Sequence, residues 1–281
     1  MTQQDHTFTR ITEAARPTTA PRPLLFLLGF AAIYLLVVCT PFGQTAENSL
    51  VRGFAEQARV FALVESVGPP PLKAAMPTLV AGSALIAAVA AVRRCWWQGC
   101  AALAVVVATV GGTEVLHTVL PRPDLADAPH NLIAASFPSG HVAIVAGLVL
   151  GMTLVASPRA RPYIAAAGIL WLAVTAAAVQ TLYWHRPSDA IGATLLGCAC
   201  YSLTTRLLPA TTAGSTVRPG ALSGIALVLA AAGALAASTR KDSVMHPLAF
   251  AAVALLCAAL LWITVAKQPT RPAPDAGPAA R

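Results

Sequence analysis

Apolar runs long enough to cross a bilayer recur along almost the whole chain, and they decide its fold class before any motif is read. They fall at about Leu24–Thr40, Ala74–Val92, Gly99–Leu120, Phe137–Ala156, Tyr163–Trp184, Ser188–Leu208, Gly220–Ser238 and Pro247–Ala266. A spanning helix needs about 20 apolar residues. Only 11% of the 281 residues are charged, less than half the ~25% of a soluble domain. The expected fold is therefore an all-α polytopic membrane protein of eight transmembrane helices. A disordered cytoplasmic segment is expected before them, over 1–23, and a disordered cytoplasmic tail after them, over 267–281.

The net charge is +8, and 16 of the 19 basic residues are Arg. They are scattered over short connections, which reads as control of topology and not as a nucleic-acid surface. With the N-terminus inside, twelve of the 19 fall on the inner side and seven on the outer. Both termini are then cytoplasmic, and the first run is an uncleaved signal anchor, because Gln44-Thr45-Ala46 behind it makes a poor cleavage site. The bias of Arg over Lys with abundant Ala, Pro and Gly points to a GC-rich bacterial genome, hence to a multi-pass protein of the plasma membrane.

Between the first two runs, Leu50, Phe54, Phe61 and Val64 recur at helical spacing, so an amphipathic surface helix is expected over Asn48–Gly68. Six cysteines lie in or beside the apolar runs with neither CxxC nor zinc spacing, and they read as packing residues. Gly147 and Gly151 form a GxxxG that reads as ordinary helix contact.

Three polar pieces interrupt this pattern, all projected to the outer face: Pro121-Arg122-Pro123, Pro138-Ser139-Gly140-His141 and His185-Arg186-Pro187-Ser188-Asp189. Ionisable residues at the mouths of apolar helices are costly and ask for a reason. Ser139 suits an N-cap, Gly140 allows backbone to come close to a ligand, and the free N–H groups of a helix start attract anions. His185 and Asp189 are four apart. A carboxylate on one imidazole nitrogen fixes the tautomer and raises the basicity of the other, as a nucleophilic histidine requires. Arg122 offers a forked donor to phosphate oxygens. Taken singly, each piece also fits a capped helix end or an interface residue. Taken together they fit phosphoryl transfer, without a bound metal, since no acidic metal-holding cluster is visible, and without a cofactor.

These residues resemble the type-2 phosphatidic acid phosphatase superfamily, whose signature runs Lys-x6-Arg-Pro, Pro-Ser-Gly-His, then Ser-Arg-x5-His-x3-Asp. Arg122-Pro123, Pro138-Ser139-Gly140-His141 and His185 with Asp189 match it in order and spacing, over roughly Ala74–Leu208. The resemblance implies a phosphatase-like six-helix bundle over 24–208, followed by two additional transmembrane helices over 209–266. In that bundle His185 is the nucleophile, Asp189 orients it and His141 is the general acid. Arg122, Ser139 and Gly140 would bind phosphate. The implied partners are a lipid or polyprenyl phosphate and the bilayer.

Two parts of the signature are absent. Its lysine falls on Val115, and its Ser-Arg falls on Ala178-Val179. Candidate replacements are His117 (with Glu114 three residues before it), His130 and Arg186. Three other readings stay open: a degenerate member that binds lipid phosphate or serves as a partner subunit, a phosphotransferase, and, with less support, a transporter.

Overall fold

The computed structural model describes residues 22–50, 66, 68–128, 136–208, 221–238 and 245–266, with backbone alone at 221–223 and 233–238. Among them are nine α-helices: α1 (Arg22–Ile33), α2 (Pro41–Ser49), α3 (Ala75–Val92), α4 (Trp96–Val119), α5 (Gly140–Val155), α6 (Arg161–Thr181), α7 (Pro187–Leu207), α8 (Ala221–Ser238) and α9 (Met245–Ala266). Each of the eight expected spans corresponds to a helix. By length and apolarity, α3, α4, α6 and α9 can cross a membrane, and α1 with α2 makes a fifth if the bent pair counts as one span. The fold is an all-helical, multi-pass bundle.

The apolar sequence explains the layering. Helix α5 carries no polar stripe, and a helix apolar all round belongs inside; accordingly 13 of its 16 residues are buried. It touches α3, α4, α6 and α7, and α7 in turn touches α1, α4 and α9. Helices α8 and α9 pack on α6, so residues as distant as Ala230 and Leu261 join Val145 and Leu172 in one core. Outward-facing Leu24, Leu35, Val80, Val107 and Leu229 remain exposed, a spread of apolar surface that suits lipid better than water. At Gly151 a Cβ would lie 3.0 Å from Ala102 O and 3.1 Å from Ile86 Cδ1, so this member of the GxxxG sets the close approach of α5 to its neighbours.

The two ends of α5 are treated oppositely. Its C-terminal carbonyls are met by cations: Arg161 Nε donates to Thr153 O at 3.0 Å, and Arg93 Nη1 donates to Val155 O. Its N-terminus is left facing the polar cluster. Cations at the C-terminus and an open N-terminus follow the sense of the helix dipole.

The first span departs from expectation. After Ile33 the helix widens into a π-helical turn, Tyr34–Val38, then breaks and turns 81° into α2. Thr40 caps α2 by accepting from Gly43 N at 3.1 Å, with Pro41 at its first position, a combination that starts helices because proline lacks the N–H that would go unpaired there. The expected surface helix over 48–68 falls mostly outside the described residues, and its first members, Asn48 and Ser49, close α2 instead. All six cysteines are unpaired.

Candidate active site

Sequence-distant polar residues meet at one end of the bundle, where α5 and α7 begin. The Pro138-Ser139-Gly140-His141 loop is fixed from both sides. Phe137 is buried against α7, where a Cβ on Gly192 would stand 2.5 Å from its ring, and its ring centroid lies 5.1 Å from Phe30 and 5.5 Å from Tyr34. Ser139 N donates to Asp189 O at 3.0 Å, and Ser139 Oγ accepts from Val142 N at 3.4 Å, so it is the N-cap of α5. The N–H groups of Gly140 and His141 then precede the first intrahelical bond, which runs from Ala143 N to Ser139 O.

The His185 segment is held by the end of α6. Tyr183 turns the chain with φ 56, a left-handed conformation, and the carbonyl of Val179 accepts from both Trp184 N and His185 N at 3.0 and 3.2 Å. His185 Nδ1 donates to Ser136 O at 3.2 Å and lies 3.4 Å from Asp189 Oδ2. Both neighbours are acceptors. In the neutral ring the proton therefore belongs on Nδ1, which leaves the lone pair on Nε2. Asp189 is fully buried and accepts from Arg186 N at 2.8 Å with the same Oδ2, so one carboxylate closes the first turn of α7 and orients the imidazole. The His141 ring meets that of His185 edge to face, with centroids 5.8 Å apart, and lies tilted 5.4 Å from that of Trp184.

Arg122 joins the cluster through two carboxylates. Its Nη1 reaches Asp189 Oδ1 at 3.3 Å and its Nη2 reaches Glu47 Oε2 at 2.8 Å. Glu47 also accepts from Ser188 N at 2.7 Å and from Ser188 Oγ at 3.1 Å. The loop carrying Arg122 is clamped by Tyr34 Oη donating to Pro121 O, Gln44 Nε2 donating to Pro123 O, and Leu125 N donating to Gln44 Oε1. Beside this network a largely apolar cavity of about 590 Å³ opens between Leu36, Val37, Phe42, Ala46 and Ile191, with Glu47 and Ser188 on its wall.

Thus His185, Asp189, His141, Ser139, Gly140 and Arg122 all lie at this end of the bundle. The side chains at the signature positions that lack their usual residues do not join them: Val115 is 59% exposed on the outside of α4, and Ala178 and Val179 are buried in the core. Of the candidate replacements, His117 is at the site, its Nε2 donating to the same Ser136 O at 3.2 Å. Glu114 is there too, 3.8 Å from where a Cβ on Gly140 would stand. Arg186 is buried at the start of α7 with Nη2 donating to Asn48 Oδ1 at 3.1 Å, and His130 lies outside the described residues. Sequence reading missed Glu47 and Asn48. Their signal was Thr40-Pro41, a helix start that carries a lone acidic residue into an apolar environment.

Among the described residues no group of three or more His, Cys, Asp or Glu is placed to hold a metal ion. No curated protein and no solved structure matches the chain. Residues 95–213 match the family model of the PAP2 superfamily, and this stretch holds Arg122, Ser139, His141, His185 and Asp189. Such a match supports a phosphatase-type, hydrolytic function. The motif residues, their arrangement at the helix starts and this match over residues 95–213 are together consistent with a phosphatase of the PAP2 type.

Proposed function

We propose that the protein is a membrane phosphatase that hydrolyses a lipid phosphate or polyprenyl (di)phosphate at the outer leaflet through a phospho-histidine. The observation that carries this is the placement of the His185 proton: two acceptors, Ser136 O and Asp189, hold Nδ1–H and leave Nε2 as the nucleophile. In the first step the Nε2 lone pair forms a bond to phosphorus while the phosphorus–oxygen bond to the leaving alcohol or phosphate breaks. Protonated His141 gives its proton to that oxygen. In the second step neutral His141 takes a proton from water, the hydroxide bonds to phosphorus, and the phosphorus–nitrogen bond breaks with its electron pair returning to Nε2. Asp189 orients His185 throughout. Ser139, Gly140 and the open N-terminus of α5, with the remaining donors of Arg122, hold the equatorial oxygens. No step needs a metal or a cofactor. An apolar tail fits the cavity beside Glu47 and Ser188, which supports an amphiphilic substrate.

A second reading, a lipid-phosphate binder or partner subunit without turnover, is favoured by one observation: Arg122 is engaged by two carboxylates at once. Phosphate release from phosphatidic acid and farnesyl diphosphate by the purified protein separates the two. Binding without release would support the second reading. Transfer to an added alcohol in place of water would identify a phosphotransferase.

A further inference from the structure

Helix α2 turns one polar face, Gln44, Glu47 and Asn48, onto the site. These residues sit at i, i+3 and i+4, so they project together. Gln44 clamps the Arg122 loop, Asn48 accepts from Arg186, and Glu47 meets both Arg122 and Ser188. None of the three lies in the stretch that matches the PAP2 superfamily model.

Glu47 and Asp189 share two donors, Arg122 and Ser188. Asp189 Oδ1 has two side-chain donors, Arg122 Nη1 at 3.3 Å and Ser188 Oγ at 3.4 Å. Glu47 takes the shorter contact from each of the same two residues, 2.8 Å from Arg122 Nη2 and 3.1 Å from Ser188 Oγ. The hydroxyl has a single proton, so it cannot serve both carboxylates fully. By drawing the guanidinium and the hydroxyl toward itself, Glu47 leaves more of the Asp189 charge for the Nδ1–H of His185.

We infer that Glu47 is a positioning residue for the His185–Asp189 pair, acting through Arg122 and Ser188 from a helix outside the family motifs. Its effect on rate rests on the phosphatase reading; its effect on the His185 ring rests on the geometry alone. Without the Glu47 charge, Arg122 and Ser188 shift to Asp189, and the imidazole is held less strongly.

The test compares wild type, Glu47→Gln, Glu47→Asp and His185→Ala in detergent. Phosphate release from phosphatidic acid gives kcat and KM, and the 15N spectrum of histidine-labelled protein reads the Nδ1 of His185, assigned by its loss in His185→Ala. Glu47→Gln is expected to lower kcat roughly 10–100-fold, short of the ~10⁴-fold that disabling an orienting aspartate costs in a serine-protease triad. KM is expected to stay within about threefold, and the His185 Nδ1 signal to move. Glu47→Asp keeps the charge and is expected to fall between wild type and Gln; it decides the matter should Glu47→Gln not fold. An unmoved His185 signal in a folded Glu47 variant overturns the inference, as does unchanged kcat. A rise in activity would also overturn it, marking Glu47 as an anion that blocks the site. Absence of release by wild type would refute the phosphatase reading, and the His185 signal would then decide this inference alone.

Discussion

Arg122 and Glu47 meet at 2.8 Å with side chains only 4% and 5% exposed, although they lie 75 positions apart in the chain. The pair ties the bent first helix to the loop after α4, and through Asp189 it ties both to α7. Two consequences follow from its burial, one for stability and one for chemistry.

Arg122→Ala is expected to destabilise the protein by about 3–5 kcal/mol, because it leaves Glu47 and Asp189 buried without their cation. Unfolding in denaturant, followed in detergent, measures this. Arg122→Ala with Glu47→Gln is expected to recover part of the loss by removing one uncompensated charge; a double variant as unstable as the sum of the two singles would contradict the coupling.

Asp189→Asn keeps the side-chain volume and an acceptor for Arg186 N but removes the carboxylate from His185. Turnover is expected to fall on the order of 10⁴-fold, as when a triad aspartate is made an amide. Rapid quenching of wild type with radiolabelled substrate is expected to trap an acid-labile phospho-histidine that His185→Ala does not form.

Gly192 sets the distance between α7 and Phe137. Any Cβ there would meet the ring at 2.5 Å, so Gly192→Ala is expected to cost about 1–3 kcal/mol through overpacking. Phe137 precedes the loop that carries Ser139 and His141, so activity is expected to fall with it. Phe137→Leu in the Gly192→Ala background is expected to restore stability, as thermal unfolding would report.

At the opposite end of the bundle, Arg161→Ala leaves Thr153 O without its arginine donor. Leaving such a group unpaired costs about 1–3 kcal/mol. Here KM and kcat are expected to stay within twofold, which separates the structural arginine from Arg122.

Sequence reading reached the helices and the motif residues because both are written locally. Apolar length marks a span, and Pro138-Ser139-Gly140-His141 carries its own cap, later seen as Ser139 accepting from Val142 N. Glu47 was illegible for the opposite reason. Its partners, Arg122 and Ser188, are 75 and 141 positions away, and α2 exists only because the chain breaks at Cys39–Thr40 and turns 81°. The first apolar run extends through Thr40, and Gln44-Thr45-Ala46 behind it reads as a poor cleavage site with no sign of a helix that turns back to the site. Val115 shows the same limit from the other side: spacing assigns it to the signature lysine, yet it faces outward, while His117, two residues on, reaches the site.

Orientation is open to a direct check. A reporter active only outside the cytoplasm is expected to be silent after Arg161 and active when placed after His246. The reverse pattern would put the candidate site on the inner face.

Phosphate release by purified protein in EDTA, with phosphatidic acid and farnesyl diphosphate as substrates and His185→Ala as control, tests a metal-independent phosphatase directly. Release is expected to survive EDTA and to be lost in His185→Ala. Equal release by the two proteins, or none from either substrate, would contradict it.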